Sequence, residues 1–273
     1  MTFSISDVIN AQKELNKFRL NNSTNHERFI FPFLCGSYFT YRKIDVIRIF
    51  AIAKTISENP TYLDVGCGYG DFLEKIREYI PNAEGIEKSA EIFYSIGKVK
   101  PDYIKIADAY NGIDKKYDII FVGWMEPGVD YRDQISAKTE VIITTLDQGL
   151  SLAAEFDGHG FDKIASWVTP SWEDINIEIT NRYYSKIPNE LIQKLADLRG
   201  AHNFWYVYCR PELKKRIKNA LKLCLAEELE KRYEKYEFET VLDNAGYKYF
   251  ERLKNPFTKY KLWDPVFDFD TKT

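Results

Sequence analysis

One decapeptide constrains this chain more than any other segment: Tyr62-Leu63-Asp64-Val65-Gly66-Cys67-Gly68-Tyr69-Gly70-Asp71. A short apolar strand runs into a Gly-x-Gly-x-Gly loop, and a helix opens just beyond it. Side chains at the glycine positions would keep a ligand from the backbone. The first turn of the helix offers unpaired N–H groups and a partial positive charge. The segment reads as a strand–loop–helix unit of an α/β protein, with a ligand at the mouth of the loop.

Two phosphate-binding loops are disfavoured. A dinucleotide fingerprint needs Gly-x-Gly-x-x-Gly; here Gly70 comes one residue early and Asp71 stands where the third glycine belongs. An anionic side chain at the helix mouth suits a pyrophosphate poorly. A P-loop would require Gly-Lys-Ser/Thr after the loop, and that is absent.

The flanking pattern is that of a parallel sheet covered by helices. Strands are expected at 61–65, 83–87, 102–106, 117–123 and 140–145, with helices near 71–79 and 90–97 between them. The run at 117–123 is continuously apolar, as a strand buried on both faces should be. A helix is predicted at 42–57, stopped by Pro60, and another at 4–20. Beyond Leu146 the pattern loosens. A strand is expected at 174–184, a helix at 188–198, a last strand at 203–209, and a long charged helix over 211–236. The stripe Leu213, Ile217, Leu221, Leu225, Leu229 on that helix reads as a packing face. Its basic run, Lys214-Lys215-Arg216 with Lys218 and Lys222, reads as solvated because acids follow it. The tail from 247 to 273 carries no assignable pattern.

At 273 residues the chain suits one elaborated domain with a buried core. Its net charge of −3 provides no general field favouring nucleic acid. The four cysteines are widely spaced, so neither a zinc site nor a disulfide framework is expected, and a reducing compartment follows. No apolar run reaches bilayer length. A cytoplasmic protein without a membrane span or bound metal is the expectation.

Leu63–Gly70 resembles the first motif of the class I S-adenosylmethionine-dependent methyltransferases, and three further features fall in register over residues 43–148. Glu87 ends the second strand in Gly85-Ile86-Glu87-Lys88, Asp108 follows the third in Ile106-Ala107-Asp108-Ala109, and Tyr117–Phe121 is similar to the fourth-strand motif. The resemblance implies a doubly wound, mostly parallel, seven-stranded Rossmann-like methyltransferase sheet. It implies S-adenosyl-L-methionine as cofactor and S-adenosyl-L-homocysteine as product. Asp64 would anchor the loop and the methionine amino group, Glu87 would accept the ribose hydroxyls, and Asp108 would meet the adenine amino group. The cofactor-binding set on this reading is Asp64, Gly66, Cys67, Gly68, Tyr69, Gly70, Glu87, Lys88, Asp108, Ala109, Gly123 and Trp124. Residues 1–41 are expected to form a helical lid, with Tyr38 and Tyr41 as contributors. Residues 42–210 are expected to form the binding core, and 211–273 a helical extension packed on it.

The acceptor is less legible. The fourth strand leads into Val122-Gly123-Trp124-Met125-Glu126-Pro127-Gly128, which departs from the Asn/Asp-Pro-Pro-Tyr/Phe motif of amino-group methyltransferases acting on adenine, cytosine or glutamine. Glu126, held extended by the following proline, is the catalytic candidate, as base or orienting group; a solvated loop acid is the rival reading. Asp118 begins its strand, away from the ligand end, and reads as structural. Asp147 and His159 are weaker candidates for the acceptor side, and Trp167 and Trp172 read as core closure rather than an acceptor roof. A small-molecule acceptor is expected. An RNA or protein acceptor, or a non-catalytic binder of the same cofactor, stays open.

Overall fold

The structure, a computed structural model, describes residues 41, 43–95, 97–123, 129–146, 156, 158–169, 203–231 and 265–267. Helix α1 (Lys43–Ile56) precedes β1 (Tyr62–Val65), α2 (Asp71–Arg77), β2 (Glu84–Glu87), α3 (Glu91–Ser95) and β3 (Ile104–Ile106). A 3-10 turn (Ala109–Asn111) leads to β4 (Ile119–Val122), α4 (Arg132–Ser136) and β5 (Val141–Leu146). Then come β6 (Asp162–Thr169), β7 (Asn203–Cys209), α5 (Lys214–Lys231) and β8 (Val266–Phe267).

All eight strands join one sheet in the order β3-β2-β1-β4-β5-β7-β6-β8. Strands β1 to β5 pair in parallel, and β7 lies antiparallel between β5 and β6. The doubly wound, mostly parallel Rossmann-like sheet expected from the sequence is present. It carries one strand more than seven, because β8 adds two residues against β6. Strand order reverses between β1 and β4, and ligands of open α/β sheets bind at the carboxyl ends of the strands beside that reversal.

Side-chain alternation sorts the core into two layers. Tyr62, Ile119, Phe121, Val141 and Ile143 face α1, α2 and α5, while Leu63, Val65, Ile120, Val122 and Ile142 face α4 and the 3-10 turn. On the first face Trp205 stacks between Phe121 and Trp167, with centroids 5.7 Å apart on each side. Trp167 also donates its indole N–H to the buried carboxylate of Asp45 at 2.8 Å. This ties α1 to β6 and makes Trp167 core. Leu213, Ile217 and Leu221 bury against α1 and β6, so that part of the predicted stripe does pack on the sheet.

Asp118 is structural, as its position implied. Its Oδ2 accepts the Thr61 N–H at 2.7 Å and the Thr61 hydroxyl at 2.8 Å, and its own N–H donates to Thr61 Oγ1 at 3.0 Å. These bonds fasten the start of β4 to the start of β1. The strand at 174–184, the helices at 4–20 and 188–198, residues 1–40 of the expected lid (1–41), Trp172 and Asp147 lie outside the described residues. Among the described residues no helix is long and apolar enough to cross a membrane, and no group of side chains could hold a metal ion.

Candidate functional site

The glycine loop leaves β1 at its carboxyl end, and β2 holds it there. The N–H groups of Gly66 and Cys67 both donate to the Ile86 carbonyl, at 2.9 and 3.1 Å. Gly66, Gly68 and Gly70 have φ of 73°, 57° and 84°, the left-handed region that glycine enters without strain. Gly70 is also closely packed, since a Cβ there would lie 2.6 Å from Ile104 Cδ1. Cys67 and Tyr69, between the glycines, turn their side chains into the core. The Cys67 thiol packs where a Cβ on Gly85 would stand, 2.7 Å from Sγ. The Tyr69 ring is buried, with Lys98 Nζ 4.0 Å from its centroid. At these two positions only the backbone faces the loop's mouth.

Glu87 closes the loop from the neighbouring strand. Its Oε2 accepts the Gly68 N–H at 2.9 Å, and its Oε1 accepts the Lys88 N–H at 2.9 Å. A carboxylate has about four lone-pair positions, so Glu87 can still accept from a ligand's hydroxyls. Asp108 follows β3 and caps the 3-10 turn, its Oδ1 accepting the Tyr110 N–H at 3.0 Å. Its Oδ2 lies 3.9 Å from Lys88 Nζ across the gap between the two strand ends. Ala109, beside it, is buried. Gly123 directly follows β4, and its carbonyl accepts the Thr145 hydroxyl at 2.7 Å. Loop, Glu87, Lys88, Asp108, Ala109 and Gly123 thus gather at the carboxyl ends of β1 to β4. Trp124 and Glu126 lie outside the described residues.

Asp64 is the chemically unusual member. It is the penultimate residue of β1, with only 3% of its surface exposed. Burial pushes its pKa well above the usual carboxylate range, and the charges of Asp71 and Glu87 push it the same way. Burial, with Asp64 and Glu87, also raises the Cys67 thiol, which therefore stays protonated at neutral pH and is no nucleophile. Asp64, Asp71 and Glu87 contribute negative charge around the loop, with Lys88 and Lys98 near them. The negative charge of the acids repels a pyrophosphate and favours a cation.

His159 stands elsewhere. It precedes β6 at the amino end of the sheet, where its Nδ1 lies 3.0 Å from Asp133 Oδ1 and its carbonyl accepts from Arg210 at 2.9 Å. The sequence reading missed Thr145, Gly85 and Lys98. Gly85 carried the only visible signal, a glycine inside a predicted strand, which marks close backbone or side-chain approach.

No family model matches the chain, and no curated protein sequence matches it. Several solved structures are similar in fold. The O-methyltransferase from a trans-AT PKS multienzyme of Brevibacillus brevis, in complex with S-adenosyl-L-homocysteine, is 17% identical over 85% of this chain and 92% of its own, with a TM-score of 0.43. A putative RNA methyltransferase from Pyrococcus horikoshii is 13% identical over 61% of this chain and 82% of its own, with a TM-score of 0.40. The sugar N-methyltransferase KedS8 from Streptoalloteichus is 18% identical over 46% of this chain, with a TM-score of 0.32, and the chain spans 59% of that protein's length. At these identities and TM-scores the likeness is distant.

Proposed function

We propose that this protein is an S-adenosylmethionine-dependent methyltransferase acting on a small-molecule acceptor. The observation that carries the reading is Asp64: a carboxylate residue with only 3% of its surface exposed, beside a bare glycine loop, with burial and two further acids raising its pKa. A cofactor with an ammonium group and a sulfonium centre fits this field, and its ribose fits the remaining acceptor capacity of Glu87.

On this reading Asp64 binds the ammonium group, the loop backbone lies along the cofactor, Glu87 receives ribose hydroxyls and Asp108 the adenine amino group. When bound, the cofactor supplies an electrophilic methyl group. The chain's own share is to hold the acceptor in line with that methyl and exclude water. Glu126 is the proposed proton acceptor or orienting group, with Trp124 beside the reacting centre. A base is needed only where the acceptor must lose a proton. A core of 42–210 with an extension of 211–273 is part of this reading; α5 of that extension packs on α1 and β6, and its β8 joins the core sheet. A net charge of −3 favours a small acceptor over RNA.

Calorimetric titration with S-adenosylmethionine and S-adenosylhomocysteine tests the reading. Binding of both is expected, and no heat at millimolar ligand would refute it. Transfer of a labelled methyl group into cell extract, fractionated into small molecules, lipid, RNA and protein, then identifies the acceptor class. Label in RNA or protein overturns the small-molecule reading. Silence in all fractions, with binding intact, makes the protein a non-catalytic binder.

A further inference from the structure

Strand β4 ends at Val122, and the register Ile120↔Ile142, Phe121↔Ile143, Val122↔Thr144 brings Gly123 beside Thr145. The paired strand stops there, and a side-chain bond takes over: the buried Thr145 hydroxyl donates to the Gly123 carbonyl at 2.7 Å. Thr145 is itself rigidly mounted. On its other side it is paired with Trp205, which is clamped between Phe121 and Trp167.

Gly123 lacks the local reasons for being glycine that Gly70 and Gly85 have. Its φ is not positive. A Cβ built on it would meet only Phe121 Cε1 among the described residues, at 3.7 Å, an ordinary contact. Among the described residues, neither backbone conformation nor packing excludes a side chain there. A glycine left bare at the end of a strand beside the order reversal suits close approach of something other than the protein.

We infer that Thr145 is a positioning residue for the reacting end of the cofactor: its hydroxyl fixes the Gly123 carbonyl, so that the bare face of Gly123 stays turned toward the thioether or sulfonium end of an adenosyl ligand. The inference rests on the methyltransferase reading. Thr145→Val keeps the shape of the side chain and leaves the buried Gly123 carbonyl without its donor, so the peptide turns to find another. Thr145→Ser keeps the donor.

The test compares wild type, Thr145→Val, Thr145→Ser and Gly123→Ala by amide hydrogen exchange of the free proteins and by S-adenosylhomocysteine affinity. Thr145→Val should exchange faster at Gly123 with β1 and β2 unchanged, and should bind about five- to tenfold more weakly. Thr145→Ser should stay within about twofold. Gly123→Ala, which adds only an ordinary contact, should keep its unfolding midpoint and lose more than about tenfold in affinity; it decides the matter if the valine variant fails to fold. Thr145→Val or Gly123→Ala binding like wild type overturns the inference, as does equal weakening in the serine variant. Wild type failing to bind refutes the methyltransferase reading instead, and the inference falls with it.

Discussion

Asp64→Asn should stabilise the free protein while weakening its ligand binding, and the stabilisation should grow with pH. In the unfolded chain Asp64 ionises near pH ~4. In the folded chain burial, with Asp71 and Glu87, holds the proton on to higher pH. Between those two values the folded state binds more protons than the unfolded state, so wild-type stability falls as pH rises, by about 1.4 kcal/mol per pH unit. Below both values Asp64 is neutral in either state, and this contribution to stability is fully present. Above the folded-state pKa the loss is complete and constant. Asparagine is nearly isosteric and has no such slope. For a chain of this size each 1 kcal/mol moves Tm by about 2–4 °C. Urea unfolding of both proteins from pH 4.5 to 8 gives the difference directly, and subtraction cancels every other titrating group. A cationic ligand should draw the proton off Asp64. Wild-type affinity should then rise with pH by up to about tenfold per unit within the window, with protons released to buffer, measurable as a heat that differs between phosphate and Tris. A stability difference that stays flat with pH, or a wild type that gains on the variant as pH rises, would mean that Asp64 is paired in solution and would refute the reasoning.

Three other outcomes are expected. Gly85→Ala drives a Cβ into Cys67 Sγ and Leu73 Cδ2, each 2.7 Å away, and should lower the urea-unfolding free energy by about 1–3 kcal/mol. Asp118→Ala removes the bonds to Thr61 and should cost about 1–3 kcal/mol, leaving S-adenosylhomocysteine affinity within about twofold when measured well below Tm. Glu126→Gln should retain cofactor affinity and lose about 100-fold or more in turnover; unchanged turnover would remove Glu126 from the chemistry.

What the sequence revealed follows the locality of each feature. The five parallel strands were legible because each is a short run punctuated by glycine, proline or a helix start, β4 being continuously apolar. The loop, Glu87 and Asp108 were legible because strand ends position them. Strand β6 was missed for a physical reason: a bulge between Lys163 and Ala165 places the buried Ile164 and Ala165 side by side and breaks the two-residue period. Strand β8 is two residues long, too short to carry a pattern. The Asp45–Trp167 bond joins residues 122 apart in sequence, and no local pattern encodes such a contact. Thr145 looked like an ordinary β-branched strand residue; its role depends on the register that sets it opposite Gly123.

The two ends of the sheet treat charge differently, and that contrast bears on function. At the amino end Glu84 accepts from Lys115 at 2.9 Å and from the Tyr117 hydroxyl at 2.8 Å, and these partners lower its pKa against a smaller burial than Asp64 suffers. Arg210 gives its donors to the carbonyls of Ser136, His159 and Gly160. Asp118 is matched by Thr61. At the carboxyl end Asp64 is buried, and the charges of Asp71 and Glu87 act on it with its own sign. A fold selected for stability alone would have no use for such a group, since replacing it with a neutral side chain removes a desolvated charge and two repulsions. Strain of this kind persists where a ligand relieves it. The same acids that raise Asp64 also set the sign of the ligand: an anion would add a further repulsion, whereas an ammonium group would neutralise the carboxylate and lower its pKa. On the proposed reading, the loop's glycines make room for the cofactor, and the acids around them favour its positive charge.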